Sequence, residues 1–305
     1  MRIGIFAGDV TGPRPLAELL AGAVQAEAEG FASYWLPWIA GHDPMAVFAL
    51  AGRDTSRIEM GTAVMRTYPR HPADLAGSAM TTAVATGGRF TLGVGPSHKP
   101  VIVDSFGYDY RTPVRHTREY LTVLTSLLRN GKSVFEGEEL TARFRLEHPD
   151  RAGLTVPVIL SALGPKMLAV AGALADGTFT WMTGPVTLAS HTAPALQAAA
   201  RAAGRPAPRV IAGAPCLVTD DADAGRELAA KVFKRYGGLP SYRAMLDREG
   251  WATPAHAAVI GDEAEVSAQL ARYRDAGVTD FAAVEFDTDA AASRRTRELL
   301  AATGA

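Results

Sequence analysis

The chain has little of several features that define other classes of protein. Its 305 residues include a single cysteine, Cys216, which excludes an internal disulfide framework and a cysteine-rich metal site. Cys216 lies in an apolar run, so we expect it to be a core side chain rather than a nucleophile. The net charge is −1, and no excess of either sign favours nucleic acid or an anionic membrane as a partner.

The sequence also shows no pattern typical of a membrane-spanning segment or a signal peptide. No apolar run approaches the ~20 residues needed to cross a bilayer. The N-terminal stretch MRIGIFAG has no basic region followed by an apolar one, so no signal peptide is evident. We therefore expect a cytoplasmic protein without membrane association, built as one globular domain over residues 1–305.

A dinucleotide-binding glycine motif, GxGxxG, does not follow the first strand-like run, which weakens a Rossmann reading. What is present is an alternation of short apolar runs with helical segments. The strand-like runs cover residues 2–7, 31–36, 57–64, 89–94, 158–160, 178–182, 209–218 and 278–286. Eight such units in this length predict an α/β fold, a (β/α)8 TIM barrel. Two long connections, 99–112 with 132–150 and then 236–258, predict insertions at its rim. Within the first, residues 132–146 predict a hairpin, and a helix is predicted over 222–236 before the second.

In such a barrel the site lies at the carboxyl ends of the strands. These positions lack paired carboxylates, a metal-binding cluster and a Ser-His-Asp arrangement. A site of small and apolar residues suits a bound organic cofactor that carries the reaction. We expect the cofactor to contact Phe6, Ala7, Gly8, Trp38, Ala63, Val64, Met65, Gly95, Ser97, Ser161, Ala162, Leu163, Gly164, Pro165, Lys166, Trp181 and Thr183, with the loop after Phe286 nearby.

The segment from Pro157 to Gly184 reads as strand, glycine turn, helix and strand. A glycine before a helix lets the backbone approach a ligand closely, and the helix N-terminus offers free N–H groups with partial positive charge. Pro165 suits the first helical position, and Lys166 adds a full positive charge. The segment predicts a phosphate site; the alternative is that Gly164-Pro165 is only a structural turn.

His98 follows Gly95-Pro96-Ser97 directly after the fourth strand-like run. Its imidazole could donate or accept a proton near neutral pH, so we predict it to be the catalytic residue. The alternative is a loop histidine that hydrogen-bonds backbone.

Two tryptophans, Trp38 and Trp181, are placed where they could pack against a flat ring. The alternative is that they only pack at the rim. Arg66 and Arg70 are basic residues near the mouth, each of which could be a solvated charge.

Five stretches, in order along most of the chain, resemble one known family. They are AEAEGFASYWLP at 26–37, TSRIEMGTAV with YPRHP at 55–72, GGRFTLGVGPSH at 87–98, ILSALGPKMLAVAGALADGT at 159–178 and IGDEAEVSAQLARYRDAGVTDF at 260–281. At these residues the chain resembles the luciferase-like monooxygenase superfamily. Within it, the resemblance is to the coenzyme F420-dependent oxidoreductases, including those of the methylene-tetrahydromethanopterin reductase type.

The resemblance implies a barrel of the bacterial-luciferase type with a flavin or deazaflavin in its mouth. It implies a non-proline cis peptide at Ala63-Val64, forming a bulge that supports one face of the ring. It also implies that the cofactor phosphate sits on the turn from Ala162 to Lys166. Relatives in the family are often dimers, so a homodimer is a further expectation.

The chain departs from the family pattern at two positions. Many relatives that oxidise sugar phosphates or alcohols carry an acidic-histidine pair after strand two, where this chain has Trp38-Ile39. The acid that sugar-phosphate dehydrogenases carry after strand four is replaced by His98. Oxidation of a sugar phosphate is therefore not expected.

The function expected is hydride transfer between C5 of coenzyme F420 and a small organic substrate, with His98 moving the proton. The alternatives are an FMN-dependent monooxygenase that uses O₂, and a non-catalytic flavin-binding protein. The two rim insertions are expected to set the substrate.

Overall fold

The structure, a computed structural model, describes residues 1–8, 10–286 and 289–304. Within them, eight parallel strands close into a barrel with helices around it, as the alternation predicted. The barrel strands are β1 (Arg2–Phe6), β2 (Ser33–Leu36), β3 (Glu59–Thr62), β4 (Phe90–Gly95), β5 (Val158–Leu160), β6 (Gly177–Trp181), β7 (Arg209–Val218) and β8 (Asp280–Glu285). Of the loop expected to follow Phe286, residues 287 and 288 lie outside the described part.

The register of the strands closes the sheet on itself. β1 pairs with β8 on one side, placing Ile3 opposite Phe281, and with β2 on the other. The ring is closed between β6 and β7, where Phe179 lies opposite Ile211. Beyond the end of β6, β7 also pairs with a short strand, Val259–Gly261. The sequence analysis missed that strand, because three residues carry no periodicity that identifies a strand.

Helices cover the outside of the barrel. They are α1 (Leu16–Ala28), α2 (Pro44–Ala51), α3 (Pro72–Ala85), α4 (Pro113–Asn130), α5 (Pro165–Leu174), α6 (Ala193–Ala202), α7 (Ala222–Val232), α8 (Pro240–Glu249), α9 (Glu263–Asp275) and α10 (Ala290–Gly304). Local chemistry sets several starts: the Asp43 side chain caps α2, and Asp262 with Glu265 forms a capping box at α9. Such caps satisfy backbone N–H groups that have no partner inside the helix.

Alternation along the strands divides the core into two clusters, because successive side chains point to opposite faces of a sheet. Phe6, Trp35 and Phe179 belong to one cluster, which continues under the second insertion. Ile5 belongs to the other cluster, in which outward-facing strand residues pack against the helices. Gly61 makes room for the fully buried Trp35, since a Cβ at Gly61 would lie 2.0 Å from the indole ring.

An ion-pair network closes the amino-terminal end of the barrel. Arg209 bridges Glu59 at 2.7 Å and Asp280 at 2.8 Å, and Arg2 pairs with both carboxylates. Burial raises the pKa of each acid, yet the neighbouring arginines lower the pKa of Glu59 and of Asp280 below their ordinary values. The network therefore joins β1, β3, β7 and β8 on the side opposite the predicted site.

The first insertion contains a helical turn, Val101–Ser105, and a hairpin of Lys132–Glu136 with Thr141–Arg145. The hairpin was predicted and its turn is anchored: the Glu119 carboxylate accepts three backbone N–H groups of residues 138–140.

The second insertion contains a short 3-10 helix, Lys234–Gly238, and then α8. The helix predicted over 222–236 ends earlier, at Val232, and the chain continues as the 3-10 helix.

Candidate active site

The strand ends of β1 and β2 form one side of the barrel mouth. The Ala7 N–H donates to the Trp35 carbonyl oxygen at 2.9 Å, so the chain follows β2 past the end of β1. Gly8 has a φ of 82°, and a Cβ there would lie 3.0 Å from the Pro37 ring. This turn therefore needs glycine both for its left-handed backbone and for its close approach.

The peptide bond between Ala63 and Val64 is cis, as the family resemblance implied. The Thr62 hydroxyl donates to the Gly93 carbonyl at 2.7 Å and accepts from the Gly93 N–H at 2.8 Å. The strand resumes at Met65–Arg66, which pairs with the last residues of β4. These bonds attach the bulge to β4 and hold Ala63 and Val64, both half-buried, at the mouth.

Trp38 lies in the loop after β2 with two arginines near its ring. The guanidinium of Arg66 is 5.0 Å from the ring centroid and that of Arg70 is 5.7 Å. Arg70 also pairs with Asp43 at 2.9 Å, whereas Arg66 donates to the Ile39 carbonyl oxygen. The basic residues expected near the mouth are therefore at Trp38, and one of them is neutralised by an acid.

The loop after β4 carries Ser97 and His98. Ser97 has a φ of 64°, unusual for a residue with a side chain. The Tyr110 hydroxyl donates to the Ser97 carbonyl at 2.8 Å, and the Ile102 N–H donates to the His98 carbonyl at 3.0 Å. The first insertion therefore anchors this loop through two hydrogen bonds to its backbone.

The His98 imidazole is half-buried and lies 5.3 Å, centroid to centroid, from the ring of Tyr242 in α8. Among the residues that the structure describes, neither ring nitrogen has a hydrogen-bond partner. Burial lowers the pKa of His98 below its usual range, and the positive charges of Arg235 and Arg66 lower it further. The imidazole is therefore neutral at neutral pH, with both nitrogens free to engage a ligand.

The predicted phosphate turn follows β5. The Ser161 N–H donates to the Val94 carbonyl at 2.8 Å, and the Leu163 carbonyl accepts from the His191 ring at 2.9 Å. Ala162 is buried, so it offers little surface to a ligand.

The start of α5 is exposed, and Gly164 is its N-cap. A Cβ built on Gly164 would meet no atom within 4 Å. Within the described chain the Lys166 N–H has no hydrogen-bond partner, and the Lys166 side chain is exposed. This end of the helix therefore offers an open space, a free donor and a cation.

The end of β6 supplies Trp181 and Thr183. Trp181 packs edge-on against Phe6, at 5.6 Å, inside the barrel mouth. The Thr183 hydroxyl is buried and donates to the Trp181 carbonyl at 3.2 Å. Thr183 therefore positions the strand end, and its hydroxyl proton is already engaged there.

Residues of the second insertion complete the mouth, and the sequence analysis had not selected them individually. Trp181 contacts Tyr236 edge-on at 5.6 Å, and Tyr236 contacts Tyr242 in the same way at 5.3 Å. The Arg235 guanidinium lies 4.9 Å from the Tyr236 ring. The available signal was the run of basic and aromatic residues, KRYGGLPSYR, inside a predicted insertion.

Among the described residues, no group of three or more His, Cys, Asp or Glu side chains is placed to hold a metal ion. No helix in that part of the chain is both long and apolar enough to cross a membrane.

Comparisons with known proteins agree with this architecture. The family model described as luciferase-like monooxygenase matches residues 1–280. The 5,10-methylenetetrahydromethanopterin reductase of Methanolobus tindarius is 27% identical over 252 residues, covering 81% of this chain and 75% of that protein.

Two solved structures share the fold. An F420-dependent secondary alcohol dehydrogenase in complex with an F420-acetone adduct has a TM-score of 0.81 at 22% identity, covering 100% of this chain and 99% of that one. The oxygenating constituent of 3,6-diketocamphane monooxygenase from Pseudomonas putida, in complex with FMN, has a TM-score of 0.76 at 18% identity, covering 99% and 96%.

Proposed function

The chain belongs to the luciferase-like monooxygenase family, and from this premise we propose that it is a coenzyme F420-dependent oxidoreductase. When bound, the deazaflavin would supply or accept a hydride at C5. The substrate is a small organic molecule that exchanges this hydride and a proton. Support for F420 comes from a Mycobacterium tuberculosis relative named as a putative coenzyme F420-dependent oxidoreductase, 30% identical over 193 residues that cover 58% of this chain and 54% of that protein. The chemistry of the mouth adds to this support.

The donor set at the start of α5 fits an anionic cofactor. The open space at Gly164, the free N–H of Lys166 and its exposed ammonium group together suit a phosphate oxygen. Ala63, Val64 and the ring of Trp38 would contact the flat ring system. Arg66, close to Trp38, would contact the anionic tail that distinguishes F420 from FMN, whereas Arg70 is already paired with Asp43.

The observation that carries the proposal is the free imidazole of His98. It is held by its backbone, contacts the Tyr242 ring, and has both ring nitrogens unengaged within the described residues. Because burial and two arginines keep it neutral, it can accept the hydroxyl proton as an alcohol carbon is oxidised. In the opposite direction its imidazolium returns that proton to the carbonyl oxygen.

Equilibrium binding tests the cofactor. We expect oxidised F420 to bind at least tenfold more tightly than FMN, measured by fluorescence and calorimetry. Lys166→Glu should weaken F420 binding by about tenfold, since it reverses a charge next to the phosphate. Lys132→Glu, which changes an exposed lysine of the hairpin, is the matched control.

Redox assays separate the alternatives. Reduction of F420, or oxidation of its reduced form, by members of an alcohol and carbonyl panel supports the proposal. Preferential FMN binding with O₂ consumption would favour the monooxygenase. Tight binding without turnover on any panel member would favour a non-catalytic flavin-binding protein.

A further inference from the structure

Five residues form a continuous group at the inner side of the mouth, which we call the inner mouth cluster: Trp181, Arg235, Tyr236, Tyr242 and His98. Ring contacts link Trp181 to Tyr236, Tyr236 to Tyr242, and Tyr242 to His98, at 5.6, 5.3 and 5.3 Å. The second insertion therefore bridges the end of β6 to the loop after β4.

Within the described residues, the inner mouth cluster contains hydrogen-bond donors that have no acceptor partner. Trp181 is only 7% exposed, and within the described residues its indole N–H has no partner. An indole N–H can only donate. Buried polar groups in proteins are normally paired, so the Trp181 N–H calls for an acceptor from a ligand.

Arg235, which is exposed, adds a charged donor at the solvent side of the same group. One of its nitrogens donates to the Tyr236 hydroxyl at 2.8 Å, which leaves most of its five N–H groups available. Among the residues described, no carboxylate pairs with Arg235 or with Arg66. Arg70, by contrast, is neutralised by Asp43 at 2.9 Å.

The electrostatic environment of His98 agrees with this set of unpaired positive charges. Both Arg235 and Arg66 depress the pKa of the imidazole, in addition to the effect of burial. The inner mouth cluster is thus a region of positive potential with unpaired donors and aromatic walls. A carboxylate beside Arg235 can accept two charge-assisted hydrogen bonds from the guanidinium at once, which a neutral alcohol or ketone cannot do.

We propose that the substrate is an organic acid whose carboxylate binds Arg235 and the Trp181 indole N–H, with Tyr236 and Tyr242 against its apolar part. The proposal rests on the function proposed above, because it places the reacting carbon of that substrate beside His98. A carboxylate matches the number of donors, one guanidinium and one indole N–H. A phosphate dianion would call for more positive charge than the described cluster supplies.

Calorimetry on the F420-loaded protein tests the proposal through binding alone. The probes are benzoate, 2-oxobutanoate and 4-oxopentanoate, each against its methyl ester, with inorganic phosphate as a further anion. We expect at least one acid to bind tenfold or more tightly than its ester and more tightly than phosphate. Arg235→Gln should remove that preference, and Arg235→Lys should retain part of it. Arg226→Gln, at an exposed arginine paired with Asp223, should leave it unchanged.

Two results would overturn the proposal: no acid binding more tightly than its ester, or an Arg235→Gln protein that keeps the wild-type preference. Failure of the proposed function is visible separately, as failure to bind F420 in the preceding titration. In that case the same acid and ester pairs, titrated into the protein without cofactor, still decide whether the carboxylate site exists.

Discussion

The Tyr110 hydroxyl donates a hydrogen bond of 2.8 Å to the carbonyl oxygen of Ser97. Ser97 has a left-handed backbone, with a φ of 64°, and precedes His98. The bond therefore ties the first insertion to the loop that presents the proposed catalytic residue. A residue with a side chain adopts this backbone only where its surroundings hold it there.

Removing that hydroxyl should loosen the loop. We expect Tyr110→Phe to cost about 1 kcal/mol of stability and to lower kcat for F420 turnover by roughly three- to tenfold, because His98 is less well positioned. Chemical denaturation and steady-state kinetics measure the two effects. Tyr108→Phe is the matched control, since Tyr108 is exposed in the same insertion. Equal effects of both substitutions would contradict the positioning role.

His98 should carry the proton step. We expect His98→Gln to lower kcat by about 10²–10⁴-fold while the Kd for F420 changes little. The exposed His256 provides a control substitution, His256→Gln, without effect on turnover.

The pH profile of alcohol oxidation checks the same assignment. The pKa of His98 is lowered from its usual 6.5 by burial and by Arg235 and Arg66. The neutral base is therefore present above that lowered pKa, and kcat should fall only as the pH drops below 6.5. A flat profile there, or a fall that persists in His98→Gln, would assign the proton to another group.

The charge of Arg235 should be detectable at His98 without any substrate. Arg235→Gln removes a positive charge that disfavours the imidazolium, so the pKa of His98 should rise. Titration of the histidine ring signals by NMR measures the change. Arg226→Gln removes an equal charge elsewhere and should leave the His98 signal unmoved; an unmoved signal in both variants would place Arg235 too far away to act.

The ion-pair network at the opposite end of the barrel should contribute to stability. Asp280 is 3% exposed and bonds Arg209 and Arg2. Asp280→Ala leaves Arg209 and Arg2 with one shared carboxylate, Glu59, instead of two, and should cost about 3 kcal/mol in the free energy of unfolding. Asp223→Ala, which breaks an exposed pair with Arg226, should cost less than about 1 kcal/mol.

The same network should make the fold sensitive to acid. Asp280 and Glu59 have folded-state pKa values below their ordinary ones, so their contribution is complete above about pH 4. It is lost as the pH falls through the lowered values. The unfolding free energy should therefore decline below about pH 4, and Asp280→Ala should decline less steeply, as urea denaturation at several pH values would show.

Much of the scaffold could be predicted because its signals are local. Apolar runs, capping residues such as Asp262, and Gly8 at a strand end each act within a few positions of the chain. The cis peptide at Ala63-Val64 was implied by family resemblance rather than by propensity. The end of α7 at Val232 was misjudged, because the chain changes there to a 3-10 helix, which residue composition does not distinguish from an α-helix.

The sequence by itself determined the barrel and the glycine turn before α5, since periodicity and turn chemistry are properties of neighbouring residues. Only the tertiary structure decided that Tyr242, far along the chain, contacts the His98 ring and that the charge of Arg235 acts on it. It also decided that the Trp181 N–H is buried with no partner among the described residues. Closure of the barrel brings the strand ends together, and the insertion folds over them. Side-chain contacts, charge balance and unpaired donors exist only after that closure, so no local pattern encodes them.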